Sequence, residues 1–237
     1  MDIVMITTGN RPELLGQSVV SLYENAVHYD DHNFVLVQDS PTHSAQINKL
    51  IGRYTIIINS KQVGASRSRN IGASSIPKYR RQEHIMFVDD DIYAMPGWDE
   101  LLERTLKATE DVKQARGVAV SGHAHPFNHH IGLYEFGGVR MNAANVLSTV
   151  HMAMPWYMWD VVGFFCEPGG PGGSEDVDWC RRASEKGYGL AVTEPQCIVH
   201  CGLRSSSGKQ IVGFDLMMEQ NKRLIEQYGL TGKVQYL

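Results

Sequence analysis

The chain has 237 residues and a mass of 26.5 kDa, with 43% hydrophobic and 20% charged residues, enough to bury one large core or two fused halves. A net charge of −4 and a pI near 6.2 argue against a basic protein held by nucleic-acid phosphates, and no apolar run reaches the ~20 residues that span a bilayer. The opening "MDIVMITTGNRPELL" fits neither a signal nor a transit peptide. The expected setting is therefore cytoplasmic and reducing, with Cys166, Cys180, Cys197 and Cys201 as thiols whose spacing fits no common zinc finger.

Taken in chain order, "DIVMI" is a short β-branched run that predicts a buried strand. "NRPELLGQSVVSLYENA" predicts a helix with Asn10 as N-cap, Pro12 in its first turn and Leu14, Leu15, Val19 and Leu22 on one face. "NFVLVQDS" is a second strand, "SAQINKLI" a helix and "YTIII" a third strand. "NSKQVGASRSRNIGASS" runs from a loop of small residues into a helix, and "EHIMFV" makes a fourth strand that ends at Asp89, Asp90 and Asp91. Pro96 and Gly97 then open a loop before the helix "GWDELLERTLKATEDV". Alternating strands and helices predict an α/β fold with a parallel sheet wrapped on both faces, which takes ligands beyond the carboxyl ends of its strands.

From about Gly117 the texture changes. Short strands near "GVAVSGH" and "GLYEFGGVRM" are interleaved with His123, His125, His129 and His130, followed by the aromatic "PWYMW". A glycine-rich stretch at 169–173 leads into a helix whose first turn holds Glu175, Asp176 and Asp178, where the helix dipole favours negative charge. "LAVTEP" and "QCIVHCG" predict two more strands, and "FDLMMEQNKRLIEQYG" a closing helix. With no obvious linker, residues 1–116 and 117–237 read as two halves of one domain.

Three adjacent carboxylates repel one another, so Asp89, Asp90 and Asp91 need a neutralising partner. A solvated turn, a helix cap or pairing with Arg80 and Arg81 would explain them blandly, and the alternation of a calcium loop is missing. A hard divalent cation, Mg²⁺ or Mn²⁺, held by Asp91 and an imidazole and open to water and phosphate oxygens, explains them with chemistry. His200, which ends an apolar strand, would ordinarily be a satisfied core histidine.

At these residues the chain resembles the GT-A-fold, family 2-type glycosyltransferases. The matching pieces fall in the family's order across residues 2 to about 202: "VMITTGNRPELL", "FVLVQDS", "NSKQVGASRSRNIGAS" with its Arg-Asn-x-Gly segment, "FVDDDIYAMPGW" for the DxD motif, "VVGFFCEPGGPGGSEDVDWCRRASEKGYG" for the acidic motif on the acceptor side, and "PQCIVHCG" for the metal histidine. The resemblance implies a Rossmann-like, mostly parallel central sheet flanked by helices, with residues 1–116 as the nucleotide-sugar half and 117–237 as a smaller acceptor-side half. It implies that Thr8 and Asp39 border the nucleoside, that Arg69 approaches the base or diphosphate, that Asp89 and Asp90 touch ribose or sugar, and that Asp91 and His200 bind the metal. Asp176 would be the general base and Glu175 would help place the acceptor.

Gly9 stands where the family often has Tyr, and Gln38 replaces the first acid of its usual Asp-Asp pair. The implied activity is transfer of one hexosyl or pentosyl unit from a nucleotide-diphosphate sugar, a UDP-sugar first of all, with inversion. The acceptor could be a glycan, a protein, a lipid carrier or a modified nucleobase, with the histidines and "PWYMW" expected to border its cleft and the segment 169–173 to close over it. A nucleotidyltransferase acting on sugar phosphates and a non-catalytic nucleotide-sugar-binding module are the alternatives.

Overall fold

A computed structural model describes residues 1–41, 54–110, 116–123, 130–167 and 175–201. The helices expected at "SAQINKLI" and at the C-terminal "FDLMMEQNKRLIEQYG", the glycine-rich stretch 169–173, and His125 and His129 lie outside the described residues.

Strands β1 (Asp2–Thr7), β2 (Asn33–Gln38), β3 (Thr55–Ile58) and β4 (His84–Asp89) are parallel neighbours in the order β3-β2-β1-β4. β1 lies between β2 and β4 and is apolar on both faces: Ile3 and Met5 enter one core layer, Val4 and Ile6 the other. Helices α1 (Pro12–Glu24) and α3 (Trp98–Glu110) supply Leu15, Leu22, Trp98 and Leu102 to the first layer. Helix α2 (Ala65–Ser74) packs on the second, and Gly72 lets it come close, because a Cβ there would stand 2.4 Å from Val4 Cγ1.

The sheet continues past β4 through β9 (His151–Pro155), β6 (Val118–Ser121), β10 (Gly189–Glu194), β8 (Val139–Ala144) and β7 (His130–Phe136). Only β9 and β8 run against the others, so seven of the nine strands point one way. A separate antiparallel pair joins β5 (Ile92–Ala94) to β11 (Ile198–His200). Helices α4 (Trp156–Val162) and α5 (Glu175–Glu185) complete the second layer. All four cysteines are free thiols, and no helix among the described residues is long and apolar enough to cross a membrane.

Two local expectations are corrected, and one strand stands where none was expected. Arg11, not Asn10, occupies the N-cap position of α1, one residue before Pro12, and makes no capping bond. A proline disfavours helical backbone at the residue before it, which sets the boundary there. "HMAMP", which has no clear alternation, is strand β9, buried throughout beside β4. The "PWYMW" segment is helix α4 rather than a cleft wall: Trp159 is 2% exposed, with its ring 4.8 Å from Phe87 and 5.2 Å from Phe165. Of its rings Tyr157 faces out.

Candidate functional site

The carboxyl ends of β1 and β4 lie side by side, Ile6 opposite Asp89, so Thr7 and the start of α1 face the three aspartates. Gly9, at φ 74°, turns the chain, and its N–H donates to Thr7 Oγ1 at 3.0 Å. Thr7 Oγ1 in turn donates to Asp90 Oδ2. Arg11 then reaches back with both guanidinium nitrogens, one to Asp90 Oδ1 at 2.6 Å and one to Asp91 Oδ2 at 2.8 Å. Ser18, buried on α1, donates to the carbonyls of Asp90 and Ile92 and accepts from the Ile92 N–H, which fixes the backbone on both sides of Asp91.

The Arg-Asn-x-Gly segment explains itself on α2. Arg69, 2% exposed, donates to Asp89 Oδ1 at 2.6 Å and to Glu175 Oε1 at 3.1 Å, joining the end of β4 to the start of α5. Asn70 donates to the Phe165 carbonyl and accepts from the Phe165 N–H, both at 3.0 Å. This helix is polar on a buried face because that face carries the links to Asp89, Phe165 and Glu175. Asp39, 4% exposed, accepts from the N–H groups of Val63 and Gly64 and from Asn59, so its carboxylate shapes the turn that leads into α2.

His200 comes to Asp91 through the small sheet. β11 pairs with β5 so that His200 stands opposite Ile92, and the Cys201 N–H donates to the Asp91 carbonyl at 2.7 Å. The imidazole Nε2 lies 3.3 Å from Asp91 Oδ1, and the His123 ring is 5.7 Å from that of His200.

Burial pushes the Asp91 carboxyl up, but the His200 bond and charge, with Arg11, outweigh it and hold the group below its ordinary value. Burial likewise pushes His200 down, and Asp91 more than restores it, leaving the imidazole raised. Asp90 follows burial and is pushed up to about 6, against the pull of Arg11 and Thr7. Adjacent carboxylates Asp90 and Asp91 are thus shifted in opposite directions.

The donor pair suits a first-row divalent ion. Carboxylate and imidazole ligands at about 2.0–2.2 Å from such an ion stand roughly 3 Å apart when adjacent in an octahedron, close to the separation found here. Among the described residues no third His, Cys, Asp or Glu converges on them, so water or a ligand's oxygens would complete the shell.

Asp176, in the first turn of α5, is half-buried and accepts from the Val177 N–H at 2.8 Å. Burial raises its proton affinity above the ordinary carboxylate range, against that bond, and the Glu175 charge adds to the rise. Glu175, 6% exposed, is held by Arg69 and by Thr149 Oγ1 at 3.4 Å. Thr8 is half-buried beside Thr7.

The fold therefore brings Asp89, Asp90, Asp91 and His200 together, with Arg69 and Glu175 behind them. Arg11, Thr7, Ser18 and Thr149 were missed. Arg11 alone left a signal, as a cation just after the glycine turn that follows β1. Reading it required knowing that β1 and β4 are neighbours.

Comparison with known proteins places this geometry. Residues 3–159 match the profile of Glycosyl transferase family 2. The chain belongs to that family. No curated protein matches it.

Among solved structures, this family 2 chain is similar to GalNAc-T7 with UDP, GalNAc and Mn²⁺, at TM-score 0.66 and 12% identity over 95% of this chain and 47% of that one. It is similar to Staphylococcus aureus TarS 1-349 at TM-score 0.59 and 16% identity, over 83% and 58%. The mannosyltransferase PcManGT from Pyrobaculum calidifontis, in complex with GDP-Man and Mn²⁺, aligns at TM-score 0.60 and 14% identity, over 99% and 65%. The chain spans about half to two thirds of these proteins, and at such identities the likeness is one of fold, the mixed α/β GT-A architecture.

Proposed function

We propose that this family 2 chain is a metal-dependent glycosyltransferase that moves one sugar from a nucleotide-diphosphate sugar to an acceptor hydroxyl with inversion. The observation that carries the reading is the meeting of Asp91 and His200 at 3.3 Å, beyond the carboxyl ends of parallel strands, where α/β sheets take ligands. Two similar structures hold Mn²⁺ with UDP or GDP-mannose, which supports a UDP- or GDP-sugar donor and Mn²⁺ or Mg²⁺. Asp91 and His200 hold the ion, which when bound supplies Lewis-acid stabilisation of charge on the diphosphate leaving group.

The chain's own groups do the rest. Thr8 borders the nucleoside, and Asp39 shapes that pocket from behind through the turn it holds. Asp89, half-buried, faces ribose and sugar; Asp90, 2% exposed with one oxygen on Thr7 and the other on Arg11, holds the site from within rather than touching the sugar, and Arg11, on the more open side, offers its guanidinium to the diphosphate. Arg69 acts from within, fixing Asp89 against Glu175. Glu175, held there, anchors the helix start that presents Asp176. As the acceptor oxygen bonds to the anomeric carbon, the bond from that carbon to the phosphate oxygen breaks and its electron pair leaves with the nucleoside diphosphate. The hydroxyl proton passes to Asp176, whose raised proton affinity suits a general base. A single in-line displacement inverts the anomeric centre.

The test incubates the protein with UDP- and GDP-sugars and Mn²⁺, with candidate glycan, protein, lipid-carrier and nucleobase acceptors, and measures the released nucleotide. Release of nucleoside diphosphate, lost in Asp91→Ala, is expected. Pyrophosphate formed from a sugar phosphate and a nucleoside triphosphate would instead make the chain a nucleotidyltransferase, and donor binding without turnover would make it a binding module.

A further inference from the structure

Strand β4 has a second chemistry at its other end. His84 begins the strand five residues before Asp89, about 16 Å away along an extended chain. The ligand atoms of Glu83, His84 and Glu110 all lie within 4.8 Å of one another, and no other group of three metal-ligating side chains converges this way among the described residues. Glu83 and Glu110 are exposed, while His84 is 6% exposed.

The imidazole is the unexplained part. Its buried Nε2 has no hydrogen-bond partner. Glu110 Oε1 stands 4.0 Å from it, beyond hydrogen-bond reach. The residue opposite on β9 is Pro155, which has no N–H to offer. Burial lowers the proton affinity of His84, against the pull of the Glu83 charge. The cation three residues upstream, Arg81, is spent on Asp160 at 2.9 Å and on the face of Trp156 at 3.8 Å. A buried polar nitrogen without a partner costs about 1–3 kcal/mol, and two carboxylates stand within 4.8 Å of the imidazole's ligand atom. One divalent cation would satisfy the nitrogen and draw on both carboxylates.

We propose that Glu83, His84 and Glu110 bind a divalent transition-metal ion of the zinc class, tying the end of α3 to the start of β4 at a site separate from Asp91 and His200. One imidazole nitrogen and two carboxylate oxygens are three protein ligands for a tetrahedral ion, with a fourth position for water. Ligands at about 2.0–2.2 Å from such an ion lie roughly 3.3–3.6 Å apart, so the two exposed carboxylates close by about 1 Å on a ring already fixed by packing. The nitrogen donor selects zinc-like ions over Ca²⁺ and Mg²⁺, which prefer all-oxygen shells.

The experiment titrates the full metal-free chain with Zn²⁺ against a chromogenic chelator, and with Co²⁺ while recording its visible ligand-field absorption. Wild type is compared with Glu83→Gln/Glu110→Gln and with Asp91→Ala. The two glutamates are exposed, so their replacement leaves folding intact, whereas His84→Asn serves only as a supplementary variant. Expected is one equivalent of Zn²⁺ more in wild type than in the double variant, with tetrahedral Co²⁺ bands that persist in Asp91→Ala and are lost from the double variant, which keeps only the ion at Asp91 and His200. A Zn²⁺-dependent rise in melting temperature follows the same pattern. Equal Zn²⁺ binding by wild type and the double variant, or binding lost entirely in Asp91→Ala, overturns the proposal.

Discussion

At its carboxyl end β4 delivers three carboxylates into the protein, and the fold meets them with Arg11 on Asp90 and Asp91 and with Arg69 on Asp89. At its amino end two exposed glutamates flank a buried imidazole, and neither glutamate pairs with a lysine or arginine among the described residues. The difference is one of burial. A carboxylate taken out of water must bring its counter-charge with it, whereas one at the surface can leave the balance to solvent or to an ion from outside.

Replacing Asp176 by Asn tests the carboxyl end as a reaction centre and carries the largest expected effect. Transfer should fall by about 10²–10⁴ with donor affinity little changed, read from kcat for nucleoside diphosphate release against a donor titration. An undiminished kcat would remove the base from the mechanism. Arg69→Met tests the same end as structure. It strands Asp89 and Glu175 beside each other without their cation, and urea denaturation should show a loss of about 3–5 kcal/mol. A stable variant would mean that the aspartates can find their balance elsewhere.

A neutral buried group gives an intermediate effect. His151, opposite Val88 near the carboxyl end of β4, is fully buried, and burial lowers its pKa to about 3 while its Nδ1 accepts from the Gly122 N–H at 2.9 Å. Because the folded value lies below the unfolded one, the unfolded chain binds the extra proton as pH falls. Stability is full above about pH 6.5 and declines toward pH 3, with about 2 kcal/mol lost by pH 5. Denaturant midpoints measured across that window should fall with acid, and the slope should shrink in His151→Gln.

The smallest effect belongs to the amino end. In metal-free protein Glu110→Gln should change stability by no more than about 0.5 kcal/mol, measured by the same denaturation. A larger loss would show that this glutamate already carries structural weight without an ion, and the contrast between the two ends would narrow.

Much of the site could be read from the chain. Asp91 and His200 stood out because each ends an apolar run, and Arg69, Asn70 and Gly72 stood out as a motif. What each motif residue does could not be read. Asp39 and Arg69 were expected against the nucleotide, and the fold turns both inward, to the Val63–Gly64 turn and to the Asp89–Glu175 pair. The role of Arg11 could not be read either, because its partners lie 79 and 80 positions away.

The sequence by itself determined most of the strands and helices, though not β5, β9 or α4, and the places where charge gathers, because hydrophobic periodicity and the backbone habits of proline and glycine act over a few residues. Tertiary structure alone decided which charges meet. The β1–β4 register sets Arg11 over Asp90 and Asp91, and the β5–β11 pairing brings His200 to Asp91. Such encounters depend on strand order and burial across the whole sheet, and no local pattern of residues encodes them.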